Sequence, residues 1–526
     1  MTPSTFTNEP LANFADAAQR QRFAQALAEA PRIFGQDLPC LLDGRSVTTG
    51  RWLDSVNPAH PTQVIGRVAH GTQAEVERAV EAARRAQVRW GKTSIEQRVA
   101  LLRATAEHLR RRREWFAALV VFEVGKPWRE ADADVVEAID YLEYYSVQML
   151  ELAKGKSVGQ RPGEANQYRY IPRGVCAVVA PWNFPLGILT GMSSAALAAG
   201  NVVILKPAEQ SPIIAYHLTR AFHEAGVPPD VVQYLPGLGE EVGKALVEHP
   251  HVALIMFTGS KAVGLSILRT ISVPVAGQRV MKHAVVEMGG KNAIVIDDDA
   301  DLDEAIKGIV TSAFGYQGQK CSAASRLIAH EAVYDRLVQR LIPAVEGLVI
   351  CDPVEPRCEL GPLIDHDALV RVRQAIANGH SSSRCLLEYP AQRLPSEGYF
   401  VGPSLFADVD PRSPLAQEEL FGPVVCVFRV KSFSEGIALA NDTEYGLTGG
   451  VYSRSPSHIQ EAIESFQVGN LYLNRPITGS IVGRQPFGGY KLSGLGTKAG
   501  GPDYLLQLVL PKTICENTAR HGIPLE

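Results

Sequence analysis

Between Gly174 and Leu205 the chain carries no charged side chain. A run of that length is enough to cross a bilayer. Pro181, Pro185, Asn183, Asn201 and several glycines break it, however, so the segment reads as strand 175–180, loop, helix 188–199 and strand 202–205, all inside a water-soluble core. The residues that follow extend the pattern. A helix at 211–225, a strand VVQYL at 231–235, a helix at 241–248, a strand ALIMF at 253–257 and a helix at 261–271 succeed one another. Short apolar runs alternating with helices predict parallel βαβ units with right-handed crossovers. The alternation restarts after residue 287, with strands at 293–297, 326–330, 422–430 and 470–474 and helices at 301–315, 331–347 and 433–441. The expected fold class is therefore α/β, with two doubly wound domains. In such sheets ligands sit beyond the carboxyl ends of the strands.

Upstream, a short β region covers about 40–68. Thr72-x-x-Glu75 and Ser94-x-x-Gln97 are capping boxes that predict two helices, and the acidic stretch 130–152 predicts a third. With 46% hydrophobic and 21% charged residues, the 526-residue chain can bury a sizeable core. Its formal charge of -4 argues against nucleic acid as a partner. The dense basic run Arg110–Arg113 reads as a solvated helix face. The eight cysteines form no CxxC and no zinc spacing, so no metal site is expected. A reducing, cytoplasmic setting fits them better than disulfides. Residues 1–23 lack a basic segment followed by an apolar one, so no secretory signal is expected.

Several strand ends carry residues suited to chemistry. PGLGEEVG (236–243) and FTGSKAVG (257–264) place small-residue turns between strand and helix. Such turns either cradle phosphate or simply reverse the chain. In KPAEQSP (206–212), Glu209 could accept from ribose hydroxyls and would repel a 2′-phosphate, which favours NAD over NADP; a plain surface turn is the alternative. Asn183 in APWNFPL could donate to an oxyanion or close an Asx turn. Glu287 ends the apolar strand of VVEMGGKN, where burial would raise its pKa toward that of a general base; a helix cap is the other reading. Cys321 in GQKCS is a small buried residue or a nucleophile whose pKa local donors or positive charge would lower.

Taken in order, APWNFPL, KPAEQSP, FTGSKAVG, EMGGKN, GQKCS, EELFGPV and PFGG resemble the aldehyde dehydrogenase superfamily over residues 40 to 510. The resemblance implies an aldehyde dehydrogenase-like fold with an N-terminal helical arm (1–40) and an NAD-binding domain (41–153 and 173–286). A catalytic domain (287–484) and a β-hairpin oligomerisation arm with a C-terminal tail (154–172 and 485–526) complete it. It further implies a homodimer or higher homo-oligomer, NAD as cofactor and a small-molecule substrate. By the same resemblance Cys321 is the nucleophile, Asn183 with the Cys321 N–H holds the oxyanion, and Glu287 activates water. Trp182, Lys206, Glu209, Gly239, Gly243, Ser260, Val263, Glu419 and Phe421 would hold the dinucleotide.

The stretches VPVAGQRVMKHAVVEMGG, TGSIVGRQPFGGYKLSG and TKAGGPDYLLQ, with NEPLANF near the start, are similar to the branch that oxidises L-glutamate γ-semialdehyde in proline degradation. That likeness makes Gly479 and Ser480 the anchor of the substrate carboxylate, with consecutive N–H groups forming a nest. It adds Ser322, Phe487 and Phe184 to the substrate site, with either a supporting Glu137–Lys320 ion pair or a surface role for Glu137. Cys351 departs from the glycine expected in its turn. Three other readings stay open: a dehydrogenase of another small acid semialdehyde such as succinic semialdehyde, a thiol hydrolase, and a catalytically silent relative.

Overall fold

A computed structural model describes residues 5–519; residues 1–4 of the expected N-terminal arm and 520–526 of the expected tail lie outside the described residues. Eight strands form the first sheet, in the spatial order Gly494–Leu495, His283–Glu287, Val252–Thr258, Val175–Val179, Val202–Lys206, Val232–Tyr234, Cys40–Leu42 and Arg45–Val47. The strands from His283–Glu287 to Val232–Tyr234 run parallel, and both flanks join antiparallel. Val175–Val179 pairs with Val202–Lys206 on one side and with Val252–Thr258 on the other. The chain therefore winds outward in one direction and then in the other, and a crevice opens where the direction changes.

The charge-free stretch is explained by this position. Its two strands are central, and every residue of the helix Gly187–Ala198 except Ile188 is buried. Among the described residues no helix is long and apolar enough to cross a membrane.

The second sheet has seven strands, in the order Arg384–Glu388, Ser404–Ala407, Val424–Val430, Ala324–His330, Asn292–Ile296, Thr448–Tyr452 and Asn470–Leu473. All are parallel except the first. The expected helices appear within a few residues, and both capping boxes form. The helix expected at 241–248 begins as one wider turn, Gly239–Gly243, before Lys244–Glu248.

Among the described residues, three helices of ten residues or more escaped the sequence reading: Arg113–Val124, His366–Ser382 and Pro456–Ser465. In Arg113–Val124 every residue from Phe116 to Val124 is buried, so no polar stripe exists for periodicity to reveal. Its Glu123 accepts from Ser55 Oγ at 2.9 Å and from the N–H groups of Ile213 and Ile214 at 2.7 and 2.8 Å. In His366–Ser382, Asp365 caps the helix by accepting from the Ala368 N–H at 2.8 Å.

The run Arg110–Arg113 is not a solvated helix face. It spans a break at Arg112 between two helices. Arg110 pairs with Glu9 at 2.8 Å and Glu143 at 3.1 Å, Arg113 with Asp132 at 2.7 Å, and Arg112 lies over the Trp115 ring at 4.1 Å. The turn holding Cys351 accommodates its side chain, because Cys351 is not among the residues of positive φ. Finally, Glu164–Pro172 and Val509–Asn517 pair antiparallel as a largely exposed ribbon.

Candidate active site

Two voids meet at Cys321. A groove of about 490 Å³ follows the crevice of the first sheet, and a smaller cavity of about 160 Å³ is walled by the helices Trp128–Ala153 and Gly187–Ala198, two strand ends of the first sheet and the loops at 320–322 and 479–487. Cys321 lines both.

The backbone around Cys321 is fixed from several sides. The helix Leu302–Phe314 ends in a turn where Tyr316 and Gln317 take φ of 53° and 55°. Left-handed backbone at non-glycine residues costs on the order of 1–3 kcal/mol each and persists only where the surroundings impose it. Here the Tyr316 hydroxyl donates to the Val124 carbonyl at 2.8 Å. Gln319 is fully buried; its amide donates to the Pro362 carbonyl at 3.2 Å and accepts from the Ile364 N–H at 2.9 Å. Asn292 Nδ2 donates to the carbonyls of Cys321 and Ala323 at 2.8 and 2.9 Å, while its oxygen accepts from the Thr448 N–H at 3.0 Å. Asn183 Nδ2 donates to the Gln319 carbonyl at 3.0 Å, which holds that amide beside the cysteine loop instead of in an Asx turn. Asn292 and Gln319 were missed as positioning residues, although both lie inside the quoted motifs EMGGKN and GQKCS.

The electrostatics correct one expectation. The Cys321 thiol is pushed up by burial and by the nearby Glu287 and Glu419 carboxylates, with only the Ser322 N–H favouring the thiolate. Among the described residues, no positively charged side chain stands among the main influences on this thiol. Glu287 is raised to about 8 by burial, against the opposing influence of Lys498 and the Gly489 N–H. It ends the strand His283–Glu287 and faces the cavity.

Ser322, Gly479, Ser480, Phe487 and Phe184 also line the cavity, as the sequence reading expects. Gly479 has φ +71°, the left-handed conformation that favours glycine. Phe487 is held by reciprocal backbone bonds with Ala499 at 2.9 and 2.7 Å. The expected Glu137–Lys320 pair is not formed. Lys320 Nζ bonds Glu130 at 2.7 Å, and although burial raises Glu130, Lys320 and Lys126 outweigh it and bring its pKa below the usual value. Glu137 also lines the cavity, but it stands at the start of the helix Gly187–Ala198, where a Cβ on Gly187 would lie 2.5 Å from its carboxylate. Burial and Asp134 raise Glu137 to about 8. Tyr141, Tyr145 and Tyr504 complete the wall as a stack with centroid spacings of 5.5 and 5.4 Å. Sequence reading missed Glu130 and these tyrosines; two of the three lie on the predicted helix of 130–152.

Trp182, Lys206, Glu209, Gly239, Ser260 and Val263 line the groove. Lys206 Nζ bonds Glu209 at 2.6 Å. Ser260 caps the helix Lys261–Ile271, so the positive end of that helix faces the groove. Gly243 is not among the lining residues; it lies one turn further along the helix, buried. On the opposite wall Glu419 accepts from the Gly290 N–H at 3.0 Å and is raised to about 7 by burial. Phe421 meets Trp182 edge-on at 5.5 Å. Arg371, from the helix the sequence reading missed, joins this wall.

Residues 45–514 match the Aldehyde dehydrogenase family. The chain is 46% identical over 511 residues to 1-pyrroline-5-carboxylate dehydrogenase 2 of Bacillus subtilis (strain 168), covering 97% of this chain and 99% of that one. A crystal structure of 1-pyrroline-5-carboxylate dehydrogenase from Thermus with bound NAD is similar with a TM-score of 0.96 at 45% identity, covering 98% of this chain and 100% of that one. Proline utilization A (PutA) from Bdellovibrio bacteriovorus, inactivated by N-propargylglycine, is similar with a TM-score of 0.97 at 46% identity; this chain is covered in full and spans 55% of that one.

Proposed function

The chain belongs to the aldehyde dehydrogenase family, and from that premise we propose that it oxidises L-glutamate γ-semialdehyde to L-glutamate with NAD as hydride acceptor. The carrying observation is the position of Cys321, which borders the dinucleotide-sized groove and the small cavity at once. A nucleophile placed there can bond a substrate on one side and present it to a cofactor on the other.

The groove fits a dinucleotide. The capped start of Lys261–Ile271 suits a phosphate, the Glu209 carboxylate suits adenosine ribose hydroxyls, and Glu419 suits the ribose nearer Cys321. When bound, NAD would accept hydride and its nicotinamide ring would bring positive charge beside a thiol that burial and the nearby carboxylates hold high. The remaining work falls to side chains. Cys321 Sγ attacks the aldehyde carbon, and the Asn183 amide with the Cys321 N–H receives the developing oxyanion. Glu287 takes a proton from the water that hydrolyses the thioester: with its pKa raised to about 8 it is mostly protonated at neutral pH, and the ionised fraction, which grows as pH rises, is a correspondingly stronger base.

Substrate selection is assigned to the far end of the cavity. The N–H groups of Gly479 and Ser480 receive the α-carboxylate, and Phe487 and Phe184 cover the aliphatic segment. Lys320, held by Glu130, adds positive charge to the wall. A two-stranded ribbon is marginal in water alone, so we assign the exposed pairing of Glu164–Pro172 with Val509–Asn517 to a homo-oligomeric contact. Eight free cysteines suit a cytoplasmic enzyme.

NADH formation with a panel of aldehydes tests the reading. L-glutamate γ-semialdehyde is expected to give the highest kcat/KM. Brisk turnover of succinic semialdehyde with none of glutamate semialdehyde would refute the substrate assignment.

A further inference from the structure

Asn8–Phe14 (NEPLANF) stands out in the sequence, yet the chemistry above makes no use of it. In the fold it is a strap. Asn8 Nδ2 donates to Asp140 Oδ2 at 2.8 Å and to the Val482 carbonyl at 2.9 Å. The Glu9 N–H donates to Asp140 Oδ1 at 2.7 Å, and the Ala12 N–H to Asp132 Oδ2 at 2.8 Å. The Glu9 carboxylate pairs with Arg110 at 2.8 Å. Just before the strap, Phe6 meets Tyr144 edge-on at 5.2 Å.

These contacts join two walls of the substrate cavity. Asp132, Asp140 and Tyr144 belong to the helix Trp128–Ala153, which also supplies Glu137 and Tyr141 to the cavity. Val482 lies two residues beyond Ser480, in the loop that supplies Gly479 and Ser480. The seam between strap, helix and loop is close: a Cβ on Gly483, whose φ is +75°, would lie 3.0 Å from Tyr144 and 3.1 Å from Phe6. A single carboxamide nitrogen offers two N–H donors, and at Asn8 each goes to a different wall.

We infer that Asn8 is a positioning residue for the substrate: by tying Asp140 to Val482 it sets the distance of the Gly479–Ser480 backbone from the helix, and with it the affinity for a substrate carboxylate. The inference rests on the proposed substrate reading. It predicts an effect on binding and none on the bond-making step, because no strap residue lines the cavity at Cys321.

The test compares two substrates in three variants. In Asn8→Ala, KM for L-glutamate γ-semialdehyde is expected to rise about tenfold, with kcat unchanged and KM for butanal, which has no carboxylate, also unchanged. Asn8→Gln keeps both donors and is expected to recover part of the lost affinity. Asn8→Asp places a carboxylate against Asp140 and is expected to recover none. NAD binding, read by tryptophan fluorescence, checks that each variant is folded. A wild-type KM for glutamate semialdehyde in Asn8→Ala overturns the inference, as does an equal rise for butanal. A lower melting temperature with no change in KM overturns it too, since that is the mark of a structural role alone. If the wild type prefers another acid semialdehyde, the substrate reading falls by itself, and the same comparison on that substrate decides the role of Asn8.

Discussion

Gly289 offers a test of the cofactor wall that needs no change to a proposed contact residue. A Cβ built on Gly289 would lie 2.6 Å from Glu419 Oε1 and closer still to Oε2. Gly289 is not among the residues of positive φ, so alanine fits its backbone. The clash falls on the end of a flexible side chain, so Glu419 swings away and the fold survives. What is lost is its bond from the Gly290 N–H at 3.0 Å. Bonds to charged acceptors contribute about 1.5–3 kcal/mol, and displacing the carboxylate forfeits about that amount. The conversion to rate is roughly ten- to a hundredfold in kcat/KM for NAD. Steady-state kinetics at saturating aldehyde measure it, with the melting temperature falling by only a few degrees. A double-mutant cycle supplies the decisive comparison: in a Glu419→Ala background, Gly289→Ala should add almost nothing, because both act on one carboxylate. Additive losses, or an unchanged kcat/KM in the single variant, would refute the reasoning.

Cys321→Ala is expected to abolish NADH formation while leaving NAD affinity intact; turnover near wild type would place the nucleophile elsewhere. Glu287→Gln is expected to keep the pre-steady-state burst and slow the steady state, since hydrolysis needs the base more than hydride transfer does. The pH profile gives its sign: Glu287 is protonated below about 8 and ionised above it, so steady-state kcat should climb through that pH and level off. That limb should vanish in Glu287→Gln, and its persistence there would assign the titration to another group.

The alternation of strands and helices was legible because central parallel strands are buried on both faces and appear as unbroken apolar runs, as VCAVV does at Val175–Val179. Caps were legible for the same local reason: Thr72 and Ser94 reach only three residues along the chain. Arg113–Val124 was hidden by being buried on all sides. The partner of Lys320 was hidden by helical geometry, because Glu130 and Glu137 are two turns apart on one face and spacing cannot choose between them. The raised pKa of Cys321 was hidden as well, since it comes first from burial in the folded chain and then from Glu287 and Glu419, brought to it from distant strand and loop. His366–Ser382 is a different kind of omission: its capping Asp365 and buried Leu369, Val372 and Ile376 carry the helical signal in plain sight.

The edges of the first sheet bear on how the protein is made. One flank uses Cys40–Val47 and the other Gly494–Leu495, while the ribbon closes only with Val509–Asn517. During synthesis the early β-strands at 40–47 must wait for Val232–Tyr234, and the sheet lacks its last edge until nearly the whole polypeptide has emerged. Pairings over such separations close slowly, and an uncovered sheet edge meanwhile invites other chains. Expression yield should therefore respond to translation speed and chaperone supply more strongly than the stability of the finished enzyme would suggest.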